Sequence, residues 1–183
     1  MTLPEPLALP PFPAPAATAP PALVANGIGL RPAAAADLPF LAELYADFRM
    51  PELSLFPWSP AQRQAFAADQ FRLQHVHLVH HFPSADFWIV EIDQRATGRL
   101  YLDRQDPVWR LIDILLRADA RGRGLGAALL GGLQAAARER GASGIDLHVA
   151  VTNTRAAAFY ARHGFVDTAE DAAMQRRMIW HAA

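Results

Sequence analysis

The sequence predicts one domain of the mixed α+β class, built on a mostly antiparallel sheet. Its apolar patterns give the order β-α-α-β-β-β-α-β-α-β, in which a meander of strands precedes a single crossover connection. A chain of 183 residues, 52% of them apolar, is long enough to bury the core of one such domain. A doubly wound fold does not fit this order, because its strands and helices alternate throughout.

The first half of the chain is predicted to hold one short strand and two helices. Ile28–Arg31 has the pattern of a short strand, and Asp37 stands where a helix N-cap is expected. Apolar residues at helical spacing follow it. The segment Met50–Pro60 contains three prolines and is therefore predicted to be a loop. A second helix is expected from Ser59-Pro60, a capping residue followed by proline, to about His81.

The second half is predicted to supply most of the sheet and two further helices. Phe87–Ile92 and Ala96–Asp103 flank the turn Asp93-Gln94-Arg95 and form a hairpin, and Trp109–Leu116 is the next strand. The remaining predicted elements are a helix at Gly124–Arg140 that Gly141 ends, a strand at Gly144–Val149, a helix at Thr154–His163 that Gly164 ends, and an antiparallel pair at Phe165-Val166 and Gln175–Trp180.

Residues 1–26 differ in composition from the rest, since they hold eight of the fifteen prolines. Each proline removes a backbone donor and fixes φ, so neither a helix nor a paired strand is expected here. We predict a disordered or polyproline-like arm at 1–26, followed by a single domain at 27–183. A PxxP segment that binds a partner is the alternative interpretation.

Composition excludes several classes of function. A net charge of −1 is not typical of a nucleic-acid-binding protein. The chain has no cysteine, which excludes disulfides, zinc–thiolate sites and thiol nucleophiles. It has no apolar run that approaches the ~18 residues of a membrane span, and no Lys or Arg among its first 21 residues to begin a secretory signal. We therefore expect a cytoplasmic protein.

A glycine-rich loop precedes the helix that begins near Gly124. In Arg121-Gly122-Arg123-Gly124-Leu125-Gly126, three glycines alternate with other residues. Glycines let backbone N–H groups approach a ligand, and a helix N-terminus presents unpaired donors to an anion. The two arginines add fixed positive charge. The loop is therefore predicted to bind a pyrophosphate or a similar dianion, with a structural turn and a solvated arginine pair as the alternative.

Two other phosphate-binding motifs fit this loop less well. Gly122-x-Gly124-x-x-Ala127 satisfies the dinucleotide fingerprint, but that fingerprint begins at the end of a strand near the start of a large parallel sheet. Here a polar loop starts at Arg117, and fewer than sixty residues follow the motif. No Gly-Lys-Ser/Thr follows, so a P-loop is excluded.

With these motifs in place, the chain resembles the GCN5-related N-acetyltransferase (GNAT) superfamily. Arg121-x-x-Gly124-x-Gly126 matches the pyrophosphate loop of that family, and Ile114-Leu115-Leu116 matches the strand before it. Asn153–Phe165 (NTRAAAFYARHGF) matches a second family motif in its Asn, Phe-Tyr and Gly-Phe positions. Ala118 stands where the family usually has proline. The strong match covers roughly residues 109–166.

The resemblance implies a GNAT-like fold whose sheet opens in a V between the strands at 109–116 and 144–149. Acetyl-CoA or another acyl-CoA would lie in that V as co-substrate, with no metal. Backbone groups of the first strand would hold the pantetheine, and the loop amides would hold the pyrophosphate. The implied cofactor contacts are Ile114, Leu115, Leu116, Arg121, Gly122, Arg123, Gly124, Leu125, Gly126, Ala127, Asn153 and Tyr160.

Tyr160 is the predicted general acid. Asn153 and Tyr160 are seven residues apart on a predicted helix and so share one face. A phenol with a reference pKa of about 10 donates a proton to a thiolate more readily than water does, and the resemblance implies the same role. A core tyrosine with a satisfied hydroxyl is the alternative. The absence of cysteine excludes a cysteinyl acyl-enzyme and favours direct transfer in a ternary complex.

The general base has two candidates. His148 lies on a strand five residues before Asn153, and its reference pKa of about 6.5 suits proton removal at neutral pH. Asp113 is charged within an apolar strand, where it would attract a cationic amine or pair with an arginine. A structural role is the alternative for His148, and many relatives use a water chain as the base.

The amine acceptor is the least specified part of this prediction. The resemblance implies a primary amine, either a small molecule or a protein N-terminus or lysine, bound by the first helices and their loop. The candidates there are Asp47, Glu52, Phe56 and Trp58. Members of the family often dimerise through strands near the C-terminus, so a homodimer is one expected assembly. A non-catalytic acyl-CoA sensor or interaction module is the alternative function.

A separate alternative concerns the histidines of the second helix. His77 and His81 are four residues apart and would share one helix face, where they could chelate a metal. No carboxylate stands between them as in an HExxH motif. Solvated or packing histidines are therefore the favoured interpretation.

Overall fold

The computed structural model describes residues 9–14, 19–21, 27–168 and 174–182. Its strands and helices follow one another in the order that the sequence predicts. They are β1 (Ile28–Pro32), α1 (Leu38–Leu53), α2 (Pro60–His81), β2 (Asp86–Ile92), β3 (Arg95–Asp103), β4 (Val108–Leu116), α3 (Leu125–Glu139), β5 (Gly144–Ala150), α4 (Thr154–Arg162), β6 (Val166–Asp167) and β7 (Gln175–His181).

The strands form one seven-stranded sheet in the order β1-β2-β3-β4-β5-β7-β6. Among the described strands, only β4 and β5 pair in parallel, because the crossover helix α3 connects them; the other pairs are antiparallel. The mixed α+β class predicted from the sequence is confirmed. The predicted final pair is also present, with Val166 opposite Ile179.

Local signals account for several of the element boundaries. Ser59 accepts a hydrogen bond from the Gln62 backbone N–H at 3.3 Å, and the Gln62 side chain accepts one from the Ser59 N–H at 2.8 Å. This reciprocal capping box begins α2. Asp93 and Gln94 both have positive φ, at 49° and 62°, as a two-residue hairpin turn requires.

One of the two predictions about α1 is wrong. The helix does not stop before the prolines of Met50–Pro60 but continues through Pro51 to Leu53. Pro51 lies in the last turn, where it removes only one donor, and Leu53 is 2% exposed against α2. Asp37 is the N-cap residue of α1, as predicted, although its side chain accepts no hydrogen bond from the helix. Its carboxylate accepts the Ala34 N–H at 2.8 Å instead and pairs with Arg31.

The two faces of the sheet bury different clusters. On one face, leucines and alanines of α3 pack against strand residues such as Trp88 and Leu147. On the other face, Leu41 of α1 and Phe71 of α2 pack against Ile89. Each fully buried large apolar side chain contributes about 1.5–3 kcal/mol of transfer free energy. The helices α1 and α2 are therefore held firmly against β2 and β3, beside the cavity described below.

Part of the proline-rich arm lies against the domain. Residues 9–14 form neither helix nor strand, as their prolines predict. Leu9 and Phe12 nevertheless pack against the cluster that contains Leu41 and Phe71. These residues therefore differ from the disordered arm expected from composition, because the prolines are interspersed with large apolar side chains. The rest of the arm, apart from residues 19–21, is outside the described residues.

The sheet opens in the middle of β4. Pairing between β4 and β5 runs from Val108 opposite Gly144 only as far as Leu111 opposite Leu147. At the same point the register with β3 shifts, so that Ile112 is an extra, bulged residue. A bulge bends and twists its strand. The remainder of β4 consequently turns away from β5, and the V-shaped opening predicted between these strands is confirmed.

Candidate active site

A cavity of about 640 Å³ fills the opening between β4 and β5. It extends from the glycine-rich loop on one side to α1 and α2 on the other. Most of the site residues predicted from the sequence lie around it: Asp113, Ile114, Leu115, Leu116, Arg121, Gly122, Gly124, Gly126, Ala127, His148, Asn153 and Tyr160.

Arg123 and Leu125 do not line this cavity. They border a second cavity of about 670 Å³ on the side of the loop nearer to β1. Leu125 packs partly against the main core, which turns its side chain away from the opening. The left-handed backbone of Gly122, between the two arginines, breaks the regular alternation of side chains, and Arg121 and Arg123 face different cavities. The positive charge that the loop brings to the active cavity is therefore that of Arg121 alone.

The loop between β4 and α3 has the backbone of an anion site. Gly122 and Gly124 have φ of 75° and 79°, a left-handed conformation that favours glycine. Gly124 is the N-cap of α3, and no side chain accepts a hydrogen bond from the first turn. The first N–H groups of the helix thus remain unpaired within the described part of the chain and open towards a ligand, where the helix dipole favours negative charge.

Arg121 fastens this loop to the end of β4. Its Nε donates a hydrogen bond to the Leu116 carbonyl at 2.8 Å, and its guanidinium lies 6.0 Å from the ring centre of Phe48 on α1. Both contacts hold the charged group beside the cavity. The arginine therefore has two functions that the sequence did not separate, since it shapes the loop and supplies a positive charge to the cavity.

The residues after the bulge of β4 present an open backbone edge. Ile114 and Leu116 still pair with β3 on one side, through Leu100 and Gly98. On the other side, no strand of the described chain pairs with them, because β5 has diverged. Backbone N–H and C=O groups along this edge need a partner. An extended chain of amides, such as a pantetheine arm, has the donors and acceptors to satisfy them.

The helix α4 places two predicted residues at the opening. Asn153 is its N-cap, and Oδ1 accepts the Ala156 N–H at 3.1 Å, which leaves the side-chain NH₂ as a donor. Two turns later, Tyr160 packs against Phe165 with ring centres 5.6 Å apart. Phe159 directly precedes Tyr160 in α4. Its ring comes within 3.6 Å of the position that a Cβ would take on Gly126. This contact holds α4 against the phosphate loop.

The phenol of Tyr160 is kept protonated. Burial raises its pKa well above the ordinary value of 10, and the negative charge of Asp113 raises it further. No described residue forms a hydrogen bond with its hydroxyl group. The Tyr160 side chain is half-buried, and without a described partner its hydroxyl group does not match the alternative of a core tyrosine with a satisfied hydroxyl. The group is available to a ligand in the cavity.

Asp113 is paired with a buried arginine. Its Oδ2 lies 2.6 Å from Nε and 2.5 Å from Nη2 of Arg99, whose side chain is 2% exposed. The other Nη2 contact of Arg99 is with Oε1 of Gln74 on α2, at 2.9 Å. Asp113 itself is 25% exposed to the cavity. Its Oδ1 has no hydrogen-bond partner among the described residues, so one carboxylate oxygen is fixed and the other is open.

His148 lies on β5, one residue after the last pair with β4, at the closed end of the opening. Its pKa is lowered from 6.5 chiefly by partial burial and then by the charge of Arg110, while Asp146 opposes this and Arg177 adds to it. Arg110 and Arg177 both bind Asp146, which is 3% exposed, at 2.5 Å and 2.8 Å. The lowered pKa favours the neutral imidazole near pH 7, and no described residue forms a hydrogen bond with the ring. A general base needs both properties.

The four acceptor residues predicted on the first helices do not line the cavity. Asp47 is exposed on α1, and Glu52 pairs with Arg49 at 3.1 Å. Phe56 stacks on Trp58 with ring centres 5.1 Å apart. Both aromatic residues thus pack with each other rather than against the opening. The helices reach the cavity through other side chains, namely Tyr45, Phe48 and Gln74.

Several cavity residues were missed at the sequence level. Besides those three, they include Arg99 on β3 and, on α4, Arg155, Phe159 and Arg162. The sequence could have indicated Arg99, because it is the one charged residue in the apolar run from Gly98 to Leu102. A charge in such a run requires a partner, and Asp113 on the neighbouring strand is that partner. The sequence gives no such indication for Tyr45 and Gln74, because either residue type fits a helix surface.

The histidines of α2 pack with one another and with backbone carbonyls. The rings of His77 and His81 are 3.9 Å apart, and Nδ1 of His81 lies 3.1 Å from the His77 carbonyl. His75 is buried at 4% exposure and contacts the Pro10 carbonyl. Within the described ranges, no group of three or more His, Cys, Asp or Glu residues is arranged to hold a metal ion.

No helix in the described ranges has both the length and the apolar character needed to cross a membrane.

The model of the acetyltransferase (GNAT) family matches residues 41–165, well over half of the chain. No sequence match was found among curated proteins.

Solved structures with the same fold include acetyltransferases from several organisms. A PaiA N-acetyltransferase from Thermoplasma acidophilum in complex with coenzyme A is 16% identical, with a TM-score of 0.65 over 85% of this chain and 99% of that one. An acetyltransferase from Thermus thermophilus is 19% identical, with a TM-score of 0.64 over 85% and 97%. A spermidine N-acetyltransferase chimera from Vibrio cholerae and hSSAT is 19% identical, with a TM-score of 0.60 over 86% and 96%.

At these identities the structural likeness establishes the fold alone. The family match rests on the sequence and includes both motifs, the phosphate loop and the segment from Asn153 to Phe165. The fold and the opening in the sheet are those expected of a member of the matched family. The chain belongs to the GNAT family of acetyltransferases.

Proposed function

We propose that the protein is an N-acetyltransferase that transfers the acetyl group of acetyl-CoA to a primary amine. The observation that carries this proposal is the arrangement of three features around one cavity: an uncapped helix N-terminus, the open edge of β4 and the unpaired hydroxyl of Tyr160. They suit a pyrophosphate, a pantetheine arm and a departing thiolate, respectively. The Thermoplasma relative was crystallised with coenzyme A, which supports the same co-substrate here.

Binding of the co-substrate requires little rearrangement of the chain. The N–H groups of Gly126 and Ala127 on α3, together with Arg121, would hold the pyrophosphate. The β4 backbone from Ile114 to Leu116 and the Asn153 NH₂ group would hold the pantetheine amides. This places the thioester near the closed end of the opening, between Asp113 and Tyr160. The β4 N–H groups at that end would stabilise the oxyanion that forms on attack.

His148 is the proposed general base. A primary amine with a pKa of about 10.4 is protonated at pH 7 and must lose a proton before it attacks. The neutral imidazole of His148 accepts this proton, directly or through one water molecule. A new C–N bond forms as the C–S bond breaks, and the thiolate takes the Tyr160 proton. The phenol then regains a proton from solvent, and no acyl-enzyme is required.

Asp113 is proposed to orient the acceptor. Its open Oδ1 is suited to accept a hydrogen bond from the amino group, while Arg99 holds Oδ2 in place. The same charge keeps Tyr160 protonated, because a second negative charge nearby is unfavourable. One carboxylate thus aligns the nucleophile and preserves the acid. A spermidine N-acetyltransferase shares the fold, which is consistent with an amine acceptor.

Turnover with a panel of amines tests this proposal. The protein is incubated with acetyl-CoA and, in turn, amino acids, a polyamine, an aminoglycoside and a lysine-containing peptide, and free thiol is measured. We expect thiol release that depends on at least one acceptor. Stabilisation by CoA without release on any amine would instead support the non-catalytic sensor. Stabilisation by NAD or ATP but not by CoA would contradict both.

A further inference from the structure

The N-terminal arm contacts the residues that support the acceptor side of the cavity. The Pro10 carbonyl accepts a hydrogen bond from Nε2 of His75 on α2 at 2.7 Å. The ring of Phe12 lies edge-on to His75 at 4.8 Å and 5.5 Å from Phe87 on β2. The family match begins at residue 41, so Pro10 and Phe12 lie outside the matched region whereas His75 and Phe87 lie inside it.

A first series of contacts leads from the arm to Arg99 through aromatic rings. Phe87, which Phe12 touches, packs against Tyr101 with ring centres 4.7 Å apart. The Arg99 guanidinium lies 5.1 Å from the centre of the Tyr101 ring. Phe87 is 5% and Tyr101 is 2% exposed. Close-packed groups of this kind transmit a displacement instead of absorbing it.

A second series passes through α2. His75, which the arm holds by a hydrogen bond, is the residue after Gln74, and Gln74 binds Nη2 of Arg99. The arm therefore fixes the turn of helix that supplies the partner of this arginine. Both series end at the same guanidinium, which in turn holds Asp113. In addition, Leu9 and Phe12 pack on the cluster that contains Tyr45, a residue of the cavity wall.

The geometry points to a positioning role for the arm in catalysis. We propose that Phe12 and the Pro10–His75 hydrogen bond hold Arg99, and through it Asp113, in the orientation that aligns the acceptor amine. This inference rests on the proposed N-acetyltransferase function. Leu9, Pro10 and Phe12 contact α1, α2 and β2 on the face of the sheet opposite to α3, so we expect a change at Phe12 to leave binding of acetyl-CoA largely intact.

The test compares Phe12→Ala in the full-length chain with a matched control, Phe40→Ala. Phe40 is also half-buried against the same cluster, but it has no ring contact with His75 or Phe87. We expect Phe12→Ala to lower kcat/KM for the acceptor about tenfold or more, in keeping with the effect of a small misplacement at a reacting centre. The Kd for CoA should stay within about twofold, and Phe40→Ala should leave both values near those of the wild type.

A second pair of variants separates positioning from loss of packing. His75→Gln keeps a side-chain donor for the Pro10 carbonyl, whereas His75→Leu keeps only bulk. We expect His75→Gln to retain most of the acceptor kcat/KM and His75→Leu to lose it, with thermal unfolding followed for each. Equal acceptor kinetics in Phe12→Ala and the wild type, or an equal loss in Phe40→Ala, would overturn the inference. If the wild type acetylates no amine, the proposed function fails first.

Discussion

Arg99 and Asp113 face each other across β3 and β4 at the point where the sheet opens, with Nη2 and Oδ2 2.5 Å apart. The arginine side chain is 2% exposed, so it is separated from water almost completely. A buried ion pair is often no more stabilising than apolar residues of similar volume. Its presence in the wall of the cavity therefore favours a role in the reaction over one in stability alone.

A variant that lacks one charge of the pair and a variant that lacks both should distinguish these roles. Asp113→Asn leaves the Arg99 guanidinium buried without a counter-charge, which should lower the free energy of unfolding by about 3–5 kcal/mol. The double variant Arg99→Met/Asp113→Leu removes both charges and should recover most of that stability in a urea titration. Its acetyl transfer should remain low. Recovery of wild-type turnover in the double variant would contradict a catalytic role for the pair.

Removal of the Tyr160 hydroxyl tests the general acid. Tyr160→Phe keeps the ring that packs on Phe165, so neither the melting temperature nor the Kd for CoA should change appreciably. We expect kcat to fall about 10²-fold, the usual contribution of a positioned acid. Steady-state kinetics with a saturating acceptor give this value. If kcat is unchanged, another group or water protonates the thiolate.

The pH dependence of kcat tests the general base. The pKa of His148 is lowered from 6.5, chiefly by burial and next by Arg110. Because only the neutral imidazole accepts a proton, kcat should rise with pH through a midpoint below 6.5 and then level off. Tyr160, with its raised pKa, stays protonated across that range. The acidic limb should disappear in His148→Gln, and its persistence there would exclude this histidine as the base.

The glycine-rich loop provides a test of cofactor binding. Gly124 has φ of 79°, and a Cβ at this position would meet no atom within 4 Å. Gly124→Ala therefore adds backbone strain of about 1–2 kcal/mol without a clash. The loop should distort, and the Kd for CoA in a calorimetric titration should rise about tenfold.

Gly131→Ala is the matched control for this loop variant. A Cβ on Gly131 also meets no atom within 4 Å, but this residue lies inside α3 with an ordinary helical φ. The substitution should stabilise the protein by about 1 kcal/mol and leave CoA binding unchanged. Equal affinities in the two variants would mean that the left-handed loop is not needed to hold the cofactor.

The features that the sequence predicts correctly depend on residues close together in the chain. The capping box of Ser59 and Gln62 lies within one turn of helix, and the loop from Arg121 to Gly126 is a contiguous segment. Asn153 and Tyr160 share one helix face through a fixed period. In each case local chemistry sets the geometry. A single sequence can therefore reveal the side of the cavity that the loop and α4 form.

The acceptor side depends on tertiary contacts instead. The Arg99–Asp113 pair requires the register of β3 and β4, which shifts by one residue at the Ile112 bulge. No local pattern marks that bulge. In the same way, Leu53 extends α1 past Pro51 only because it packs against α2. Helix packing likewise decides which side chains reach the cavity, which is why the candidates Asp47, Glu52, Phe56 and Trp58 do not line it.

The proposed mechanism is direct transfer between two substrates held together in the opening of the sheet. Its most direct test is whether both substrates must bind before either product leaves. Initial rates are measured over a grid of acetyl-CoA and acceptor concentrations, and the intact protein is weighed by mass spectrometry after exposure to acetyl-CoA alone. For direct transfer we expect intersecting double-reciprocal lines, one thiol released per amine acetylated, and no acetylated protein on the reaction path. Parallel lines with an acetylated protein that transfers its group to the amine would contradict it.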